Sequence, residues 1–560
     1  MAHPVTMRVL RRGGSHEHGR FATRSLPDRI QHHTMNAPLY APSIRSDRPQ
    51  AVVIGAGPGG LAAAMLLAAR GVRVTVLEKD GVVGGRNRRL EAPGGYRFDL
   101  GPTFFLYPRI LEEIFRDCGA ELREEVELLR LDPQYRLLFE QGDGGVTLDA
   151  TSDLGRMEAE IAKLDPHDAG NLGRFLADNR AKLKSFRPVL ERAFTRATDM
   201  MAPDLLRALP HLRPAKSVDG DMRRFFRDPR TRLAFSFQTK YLGMSPYRCP
   251  SLFTILSFLE YEHGVFHPRG GCGAVALAMA RVAERLGAEI RLDSPVDRIR
   301  FEGRRARGVD SGGRSFDADA VVMNADFAHA APRLIPDHLR RRWPDRKIEA
   351  ARYSCSTFML YLGVEGSFPQ LAHHSILLAE DYERNLREVG EGTLPQTPSV
   401  YLQHAGATED GMAPPGHSAL YLLVPVPNLR EGNARGLDWA QAARHYRELA
   451  LDRVRKLGIG DLRPRIRYER MVTPQDWRDE FSVGFGATFN LAHDLRQMLA
   501  FRPGNRFNDV QGVYLVGGGT HPGSGLPVIY EGARISADLC LRDLGLHGVD
   551  TRMPGAAVEA

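Results

Sequence analysis

The chain is 560 residues long, 43% hydrophobic and 26% charged, with a formal net charge of +8. Such a composition suits a globular protein with a large core, and no run of about 18 apolar residues is present to span a bilayer. The positive balance does not point to nucleic acid: residues 1–49 hold eight arginines against Glu17, Asp28 and Asp47, so five of the eight net charges sit there, and no recognised nucleic-acid module follows.

In chain order, residues 1–49 read as a disordered basic leader rich in Arg, His, Pro and Ser. Arg11-Arg12 lacks the apolar segment of an export signal, and Met35 offers an alternative start that leaves residues 1–34 out of the native protein. The first regular element is a short buried strand, Ala51–Ile54, followed by Gly55-Ala56-Gly57-Pro58-Gly59-Gly60 and a small-residue helix over 61–70. Gly71 ends that helix, and a second strand, 72–77, runs into Glu78. Gly55 permits a tight turn, Gly57 lets backbone amides approach a pyrophosphate, and Gly60 lets helix and strand pack closely. The helix N-terminus favours the phosphate charge, and Glu78 is placed to accept hydrogen bonds from a ribose diol. Strand, glycine turn, helix, strand and terminal acid in this order predict dinucleotide binding, with Gly59 and Lys79 among the expected contacts.

The following turn, Gly84-Gly85-Arg86, again brings backbone close to a cofactor and supplies a cation for phosphate. It resembles the second FAD contact of the amine-oxidase and phytoene-desaturase superfamily. Asp99-Leu100-Gly101-Pro102-Thr103 resembles the D-x-G element that in this superfamily lies along the flavin.

Over 182–196, Leu183, Phe186, Leu190 and Phe194 recur at helical spacing among Lys182, Lys184, Arg187, Arg192 and Arg196. A basic amphipathic helix of this kind lies in a membrane interface or caps its own core; both readings stand. Further on come Gly264–Ala274 with its Pro268-Arg269-Gly270-Gly271, a helix over 274–285 and a β-meander from 288 to 326. After these come Thr473-Pro474-Gln475-Asp476 and Phe501-Arg502-Pro503-Gly504-Asn505-Arg506. Near the end, a strand leads into Gly517-Gly518-Gly519-Thr520-His521-Pro522-Gly523-Ser524-Gly525-Leu526-Pro527, with a helix from Val528 to Leu544. A positive helix end at Pro527 and Val528 would stabilise negative charge arriving on a reduced flavin.

From about residue 50 to 545 these segments resemble the bacterial-type phytoene desaturases, a carotenoid desaturase family. The resemblance implies an α/β fold: a Rossmann-like FAD-binding domain of the amine-oxidase/glutathione-reductase type, discontinuous in sequence, with an α+β substrate or cap domain. The expected boundaries are 50–125, 264–327 and 484–548 for the FAD domain, 126–263 and 328–483 for the substrate-binding and membrane-facing domain, and 549–560 for a tail. It also implies contact of the Val296 backbone with the adenine.

The implied activity is desaturation of a long phytoene-like polyisoprenoid, by hydride transfer to flavin N5 with loss of the adjacent proton. The chain is expected to sit in the cytoplasm at the inner face of a membrane. A quinone or oxygen is the expected electron acceptor, because no second nucleotide motif is visible. His521, Arg269 and Glu531 are candidates for the proton step, each with a structural alternative: a loop cap, a loop anchor and a helix residue paired with Arg534. Glu531 departs from the small uncharged residues of many desaturases. A carotenoid or apocarotenoid oxygenase, an isomerase, an amine oxidase and a non-catalytic prenyl-lipid-binding protein remain alternatives on the same fold. Cys118, Cys249, Cys272, Cys355 and Cys540 lie far apart without metal-ligand spacing and read as reduced thiols, so no metal is expected.

Overall fold

The computed structural model describes residues 48–140 and 145–546; the predicted leader, apart from Arg48 and Pro49, and the tail lie outside the described residues. A five-stranded parallel sheet forms from β1 (Gln50–Ile54), β2 (Arg73–Leu77), β3 (Glu289–Arg291), β4 (Ala320–Met323) and β5 (Val513–Leu515), in the order β3-β2-β1-β4-β5. Sequence-distant segments therefore meet in one sheet.

Its two faces follow the two-residue period of a strand. Val53, Val74, Val76 and Val322 face three helices, α1 (Pro58–Ala68), α2 (Cys272–Arg285) and α3 (Leu526–Asp543). Val52, Ile54, Val321 and Met323 face the meander of strands Val296–Glu302, Arg305–Ser311 and Arg314–Asp317 together with the helix Phe327–Leu334. Helix α1 is buried on nearly every side, which explains its alanines: only small side chains let α2, α3, the helix Arg109–Asp117 and the sheet approach it.

The second large sheet has seven strands, in the order Ile466–Val472, Ser356–Glu365, His417–Val426, Val400–Gln403, His374–Leu378, Tyr135–Phe139, Val146–Ala150. Its centre is a ten-residue antiparallel pair running from Ser356↔Val426 to Glu365↔His417. Alternation again sorts the faces. Phe358, Leu360 and Leu362 pack under the helix Trp439–Val454, whereas Met359, Tyr361 and Tyr421 face Phe98 and Leu100. Helices over 154–263 cover the far end with a phenylalanine-rich core that includes Phe175, Phe226 and Phe235.

Several elements differ from their sequence-based bounds. The predicted helix at 61–70 is Pro58–Ala68 and the one at 528–544 is Leu526–Asp543, because proline is tolerated in a first helical turn and permits the earlier start. The helix expected over 182–196 is Leu172–Leu190, and its apolar side faces inward: Leu183, Phe186 and Leu190 line the central cavity. Lys182, named among the basic residues of that helix, is fully buried, its Nζ 3.0 Å from Asp221 Oδ2 and 3.0 Å from the Ser251 carbonyl. The membrane-interface reading of that stripe is therefore replaced by a cavity wall. All five cysteines are free, and all but Cys355 are buried.

Candidate functional site

The glycine turns of four sequence-distant segments converge. Gly55 has φ +94°, and its carbonyl accepts a hydrogen bond from Asn324 Nδ2 at 3.1 Å. A Cβ on Gly59 would lie 2.4 Å from Val516 Cγ1, and one on Gly60 would lie 2.1 Å from the Gly55 carbonyl oxygen, so neither position has room for a side chain. The Gly84 amide donates to the Ala56 carbonyl at 2.8 Å, and Gly85 sits against Gly57. Gly101 in turn abuts the Arg86 carbonyl, where an added Cβ would approach to 2.6 Å. Backbone thus forms the wall at this end.

Glu78 ends β2 with its carboxylate fixed by two amides: Ala56 N–H donates to Oε2 at 2.7 Å and Asp80 N–H to Oε1 at 3.0 Å. Burial raises its pKa, although both amides pull the other way. Its remaining lone pairs border the cavity, the disposition a ribose diol needs. Lys79 bonds Asp80 and the Glu480 carbonyl, and Arg86 donates to the Thr488 carbonyl at 2.8 Å.

All of this surrounds one cavity of about 830 Å³. Of the residues expected at a cofactor, Gly55, Gly57, Gly59, Glu78, Lys79, Gly85, Arg86, Gly101, Pro102, Thr103, Val296, Gly517, Gly518, Gly519, Pro527 and Val528 line it. Gly60 and Gly84 stand directly behind the wall. The close backbone approaches, the helix N-terminus at Leu526–Val528 and the fixed Glu78 carboxylate fit a dinucleotide. The Phe501–Arg506 motif supports the same loop from behind. Buried Arg502 donates to the Gly518 carbonyl at 2.6 Å and the Thr520 carbonyl at 3.2 Å, and Asn505 Nδ2 donates to the His521 carbonyl at 2.9 Å.

The other end of the cavity is walled by side chains, among them Phe186, Phe253, Ile376, Leu378, Tyr382 and Leu386. Three tyrosines from the seven-stranded sheet hold the segment between the two ends: Tyr361 donates to the Leu100 carbonyl, Tyr421 to the Gly101 carbonyl at 2.8 Å, and Tyr401 shares a 2.7 Å hydrogen bond with Thr103. Asn324, Tyr401 and Tyr421 line the cavity and were not anticipated. Asn324 carried a signal, a polar residue directly after the buried run Ala320–Met323; the tyrosines carried none, being ordinary strand residues.

The three proton-step candidates do not line the cavity. Arg269 is half-exposed and paired with Glu127 at 2.5 Å. His521 is buried, donates from Nε2 to the Arg192 carbonyl at 3.0 Å, and is held neutral by burial, its pKa pushed down to about 3. Glu531 lies inside α3, its Oε2 3.9 Å from Arg534 and its Oε1 without a partner. Burial pushes its pKa up to about 7, with Glu191 and Glu113 adding to the rise against Arg534.

Residues 58–541 match the family of flavin containing amine oxidoreductases. The chain is 42% identical over 491 residues to a 4,4'-diapophytoene desaturase (4,4'-diapolycopene-forming) of Methylomonas sp, covering 87% of this chain and 94% of the relative. It is 41% identical to an all-trans-zeta-carotene desaturase of Myxococcus xanthus, covering 88% and 93%. Among solved structures, an oxidoreductase from Methanosarcina mazei superposes with a TM-score of 0.58 at 17% identity, covering 86% of this chain and 98% of its own. A redesigned putrescine oxidase does so at 0.56 and 15%, covering 89% and 99%. These two establish the likeness of fold.

Proposed function

This chain belongs to the flavin containing amine oxidoreductases and, within them, to the carotenoid desaturases, and from that premise we propose how its cavity works. The chain is an FAD-dependent oxidoreductase that introduces double bonds into a long polyisoprenoid of the carotenoid pathway. Bound FAD supplies the two-electron oxidation by accepting a hydride. The glycine turns admit the pyrophosphate, Glu78 takes the ribose hydroxyls, and the Val296 backbone meets the adenine. Residues Gly101–Thr103 and Gly517–Gly519 flank the flavin, with Pro527 and Val528 at its pyrimidine edge.

One observation carries this reading: a single cavity is backbone-lined at one end and walled by aromatic and aliphatic side chains at the other. Such a cavity suits a dinucleotide meeting an unsubstituted hydrocarbon chain. Burial of the apolar end also excludes water from the carbon that loses hydride.

The substrate enters from a membrane surface. Among the described residues no helix is long and apolar enough to cross a bilayer. Met201, Leu206 and Leu209 are exposed, with Leu495 and Phe501 also exposed nearby in the chain segments that pack with them. Leu205, Ala208 and Leu212, on the opposite side of the helix Pro203–Leu212, share a core with the cavity-lining Phe186 and Met498. An exposed apolar patch backed by the cavity wall suits a monotopic contact that delivers a lipid-dissolved chain. A quinone or oxygen then takes the electrons.

The test is reconstitution of the purified holoprotein on anionic liposomes carrying phytoene or 4,4'-diapophytoene, with a quinone supplied. Progressive appearance of longer conjugated polyenes with either hydrocarbon is expected. Bound FAD with no new polyene from either would overturn the reading.

A further inference from the structure

Desaturation leaves a proton to be removed, and the three candidate groups read from the sequence are out of reach. A different set of polar side chains leads away from the cavity. Tyr401 borders the cavity beside Thr103, and its hydroxyl lies 2.8 Å from His374 Nδ1. His374 is fully buried, stacked on Phe104 at 4.0 Å between ring centres, and its Nε2 has no partner. The His373 ring lies 4.5 Å from His374 and 4.6 Å from His267. His267 is buried as well; its Nδ1 has no partner, while its Nε2 is 2.8 Å from Glu409 Oε2. Glu409 reaches the rim with 11% of its side chain exposed, and its oxygens accept the Gly270 amide at 2.8 and 3.0 Å.

One more group, Asp99, lies within electrostatic range of His267 and of Tyr401. Asp99 is 2% exposed, and neither carboxylate oxygen has a hydrogen-bond partner in good geometry. It is packed against Gly271, where an added Cβ would lie 2.4 Å from Oδ1. Buried polar atoms without partners are rare and costly, about 1–3 kcal/mol each. Here His374 Nε2, His267 Nδ1 and both Asp99 oxygens occur in one cluster. The Cys272 and Gly273 amides at the N-terminus of α2 and the Gln403 side chain favour the Asp99 charge, whereas the two histidine nitrogens have no partner, and this openness costs stability. It has a use for a group that must carry a proton transiently.

We propose that Tyr401, His374, Asp99, His267 and Glu409 form a proton exit path from the substrate cavity to the protein surface. This rests on the desaturation reading above. As the C–H bond next to the oxidised carbon breaks, its electron pair forms the new C=C bond and its proton goes to the Tyr401 oxygen. Tyr401 simultaneously gives its own proton to His374 Nδ1. His374, in the tautomer that accepts at Nδ1, releases the proton it carries on Nε2 to Asp99, directly or through one buried water. His267 takes a proton at Nδ1 and hands that on Nε2 to Glu409. Atoms and charge balance once Glu409 loses its proton to solvent; His374 and His267 are left as their Nδ1–H tautomers and return to Nε2–H before the next turnover.

The local electrostatics agree with transfer rather than storage. Burial holds His374 neutral, so it does not trap the proton. Burial also pushes the Asp99 carboxyl up to about 6, within reach of protonation. Burial alone would raise Glu409, but its hydrogen bonds to His267 and the Gly270 amide outweigh this and hold it below the ordinary carboxylate value, as a terminal acceptor requires.

The experiment is an anaerobic single turnover of FAD-loaded protein on phosphatidylcholine–phosphatidylglycerol liposomes carrying phytoene or 4,4'-diapophytoene. Flavin bleaching and a pH-indicator dye in the bulk buffer are followed together. In the wild type the two signals should rise together. Tyr401→Phe should slow bleaching about 100-fold, the usual size of a lost acid–base group. Glu409→Gln should make proton appearance lag bleaching by about tenfold or more, a separation that a merely structural role cannot produce. Bleaching at the wild-type rate in Tyr401→Phe, or a proton arriving in step with bleaching in Glu409→Gln, overturns the path. Should Tyr401→Phe fail to retain FAD, the Glu409→Gln lag decides alone. No bleaching of the wild type by either hydrocarbon is a failure of the desaturation reading and is distinguished by that control.

Discussion

At one end of the cavity the chain's backbone makes the wall, and at the other end side chains make it. At the cofactor end, Gly57, Gly85 and Gly101 bring three turns into close contact, and Gly59 packs against Val516 of a fourth segment. At the substrate end, Phe186, Ile376, Leu386 and their neighbours come from two helices and a sheet whose own packing decides the shape. A wall of backbone tolerates no added atoms, whereas a wall of side chains tolerates exchange of one apolar group for another of similar volume. The most damaging change should therefore be the smallest one at the cofactor end. Gly60→Ala places a Cβ 2.1 Å from the Gly55 carbonyl oxygen, which is backbone and cannot step aside. The purified variant should carry no flavin absorbance, while Leu386→Met at the other end keeps it. Normal flavin content in Gly60→Ala would break the contrast.

The same contrast governs what could be read in advance. Glycine turns announce themselves because part of their demand is local: Gly55 adopts a φ of +94°, and Gly60 packs on the Gly55 carbonyl five residues back. The parallel sheet and the convergence of the late glycine segment followed from that logic. Tyr401 could not be read so, because its partners Thr103 and His374, 298 and 27 residues away, reach it only through the tertiary fold. The burial of Lys182 could not be read either, for a related reason. Its counter-charge Asp221 lies 39 residues on, and a cation on a helical stripe looks solvated until the partner is known. Asn324 stood between these cases, with its polarity visible and its target, the Gly55 carbonyl, not.

The substrate half has its own rigid points, and they are ionic. Asp221 is buried and bonded to Lys182, Arg213 and Arg224. Asp221→Ala leaves the Lys182 ammonium buried with only the Ser251 carbonyl and the Thr254 hydroxyl. Breaking one side of such a pair costs about 3–5 kcal/mol. Thermal unfolding should show this as a clear loss of melting temperature, and a shift no larger than that of a surface substitution would argue against it.

Glu531, on α3 behind the cofactor end, offers a smaller and pH-dependent effect. Because burial raises its folded pKa from 4.5 to about 7, the folded protein binds more protons than the unfolded chain between those values. Stability from this group is therefore present at acid pH and falls as pH rises from about 4.5 through 7, by roughly 3 kcal/mol. Glu531→Gln removes the titration. The variant should match the wild type near pH 4.5 and exceed it above pH 7, and a difference that stays constant with pH would count against the assignment. Weaker still is the exposed patch: Met201→Asp with Leu206→Asp should lower liposome binding about tenfold, roughly 1.4 kcal/mol, without altering flavin content.

Arg269 marks the lower limit of the series. It sits in the Pro268-Arg269-Gly270-Gly271 segment, one residue from Gly270, whose amide binds Glu409, and two from Gly271, which abuts Asp99. Its side chain nevertheless points outward to Glu127, and both members of the pair are about half-exposed. Water already solvates both charges, so their separation releases little, and salt screens what remains. Arg269→Ala should leave melting temperature, flavin content and polyene formation unchanged. A loss of polyene formation with flavin retained would mean that this segment acts through its arginine. The expected result, set beside a severe effect of Gly271→Ala, would mean that it acts through its glycines, as the cofactor end does throughout.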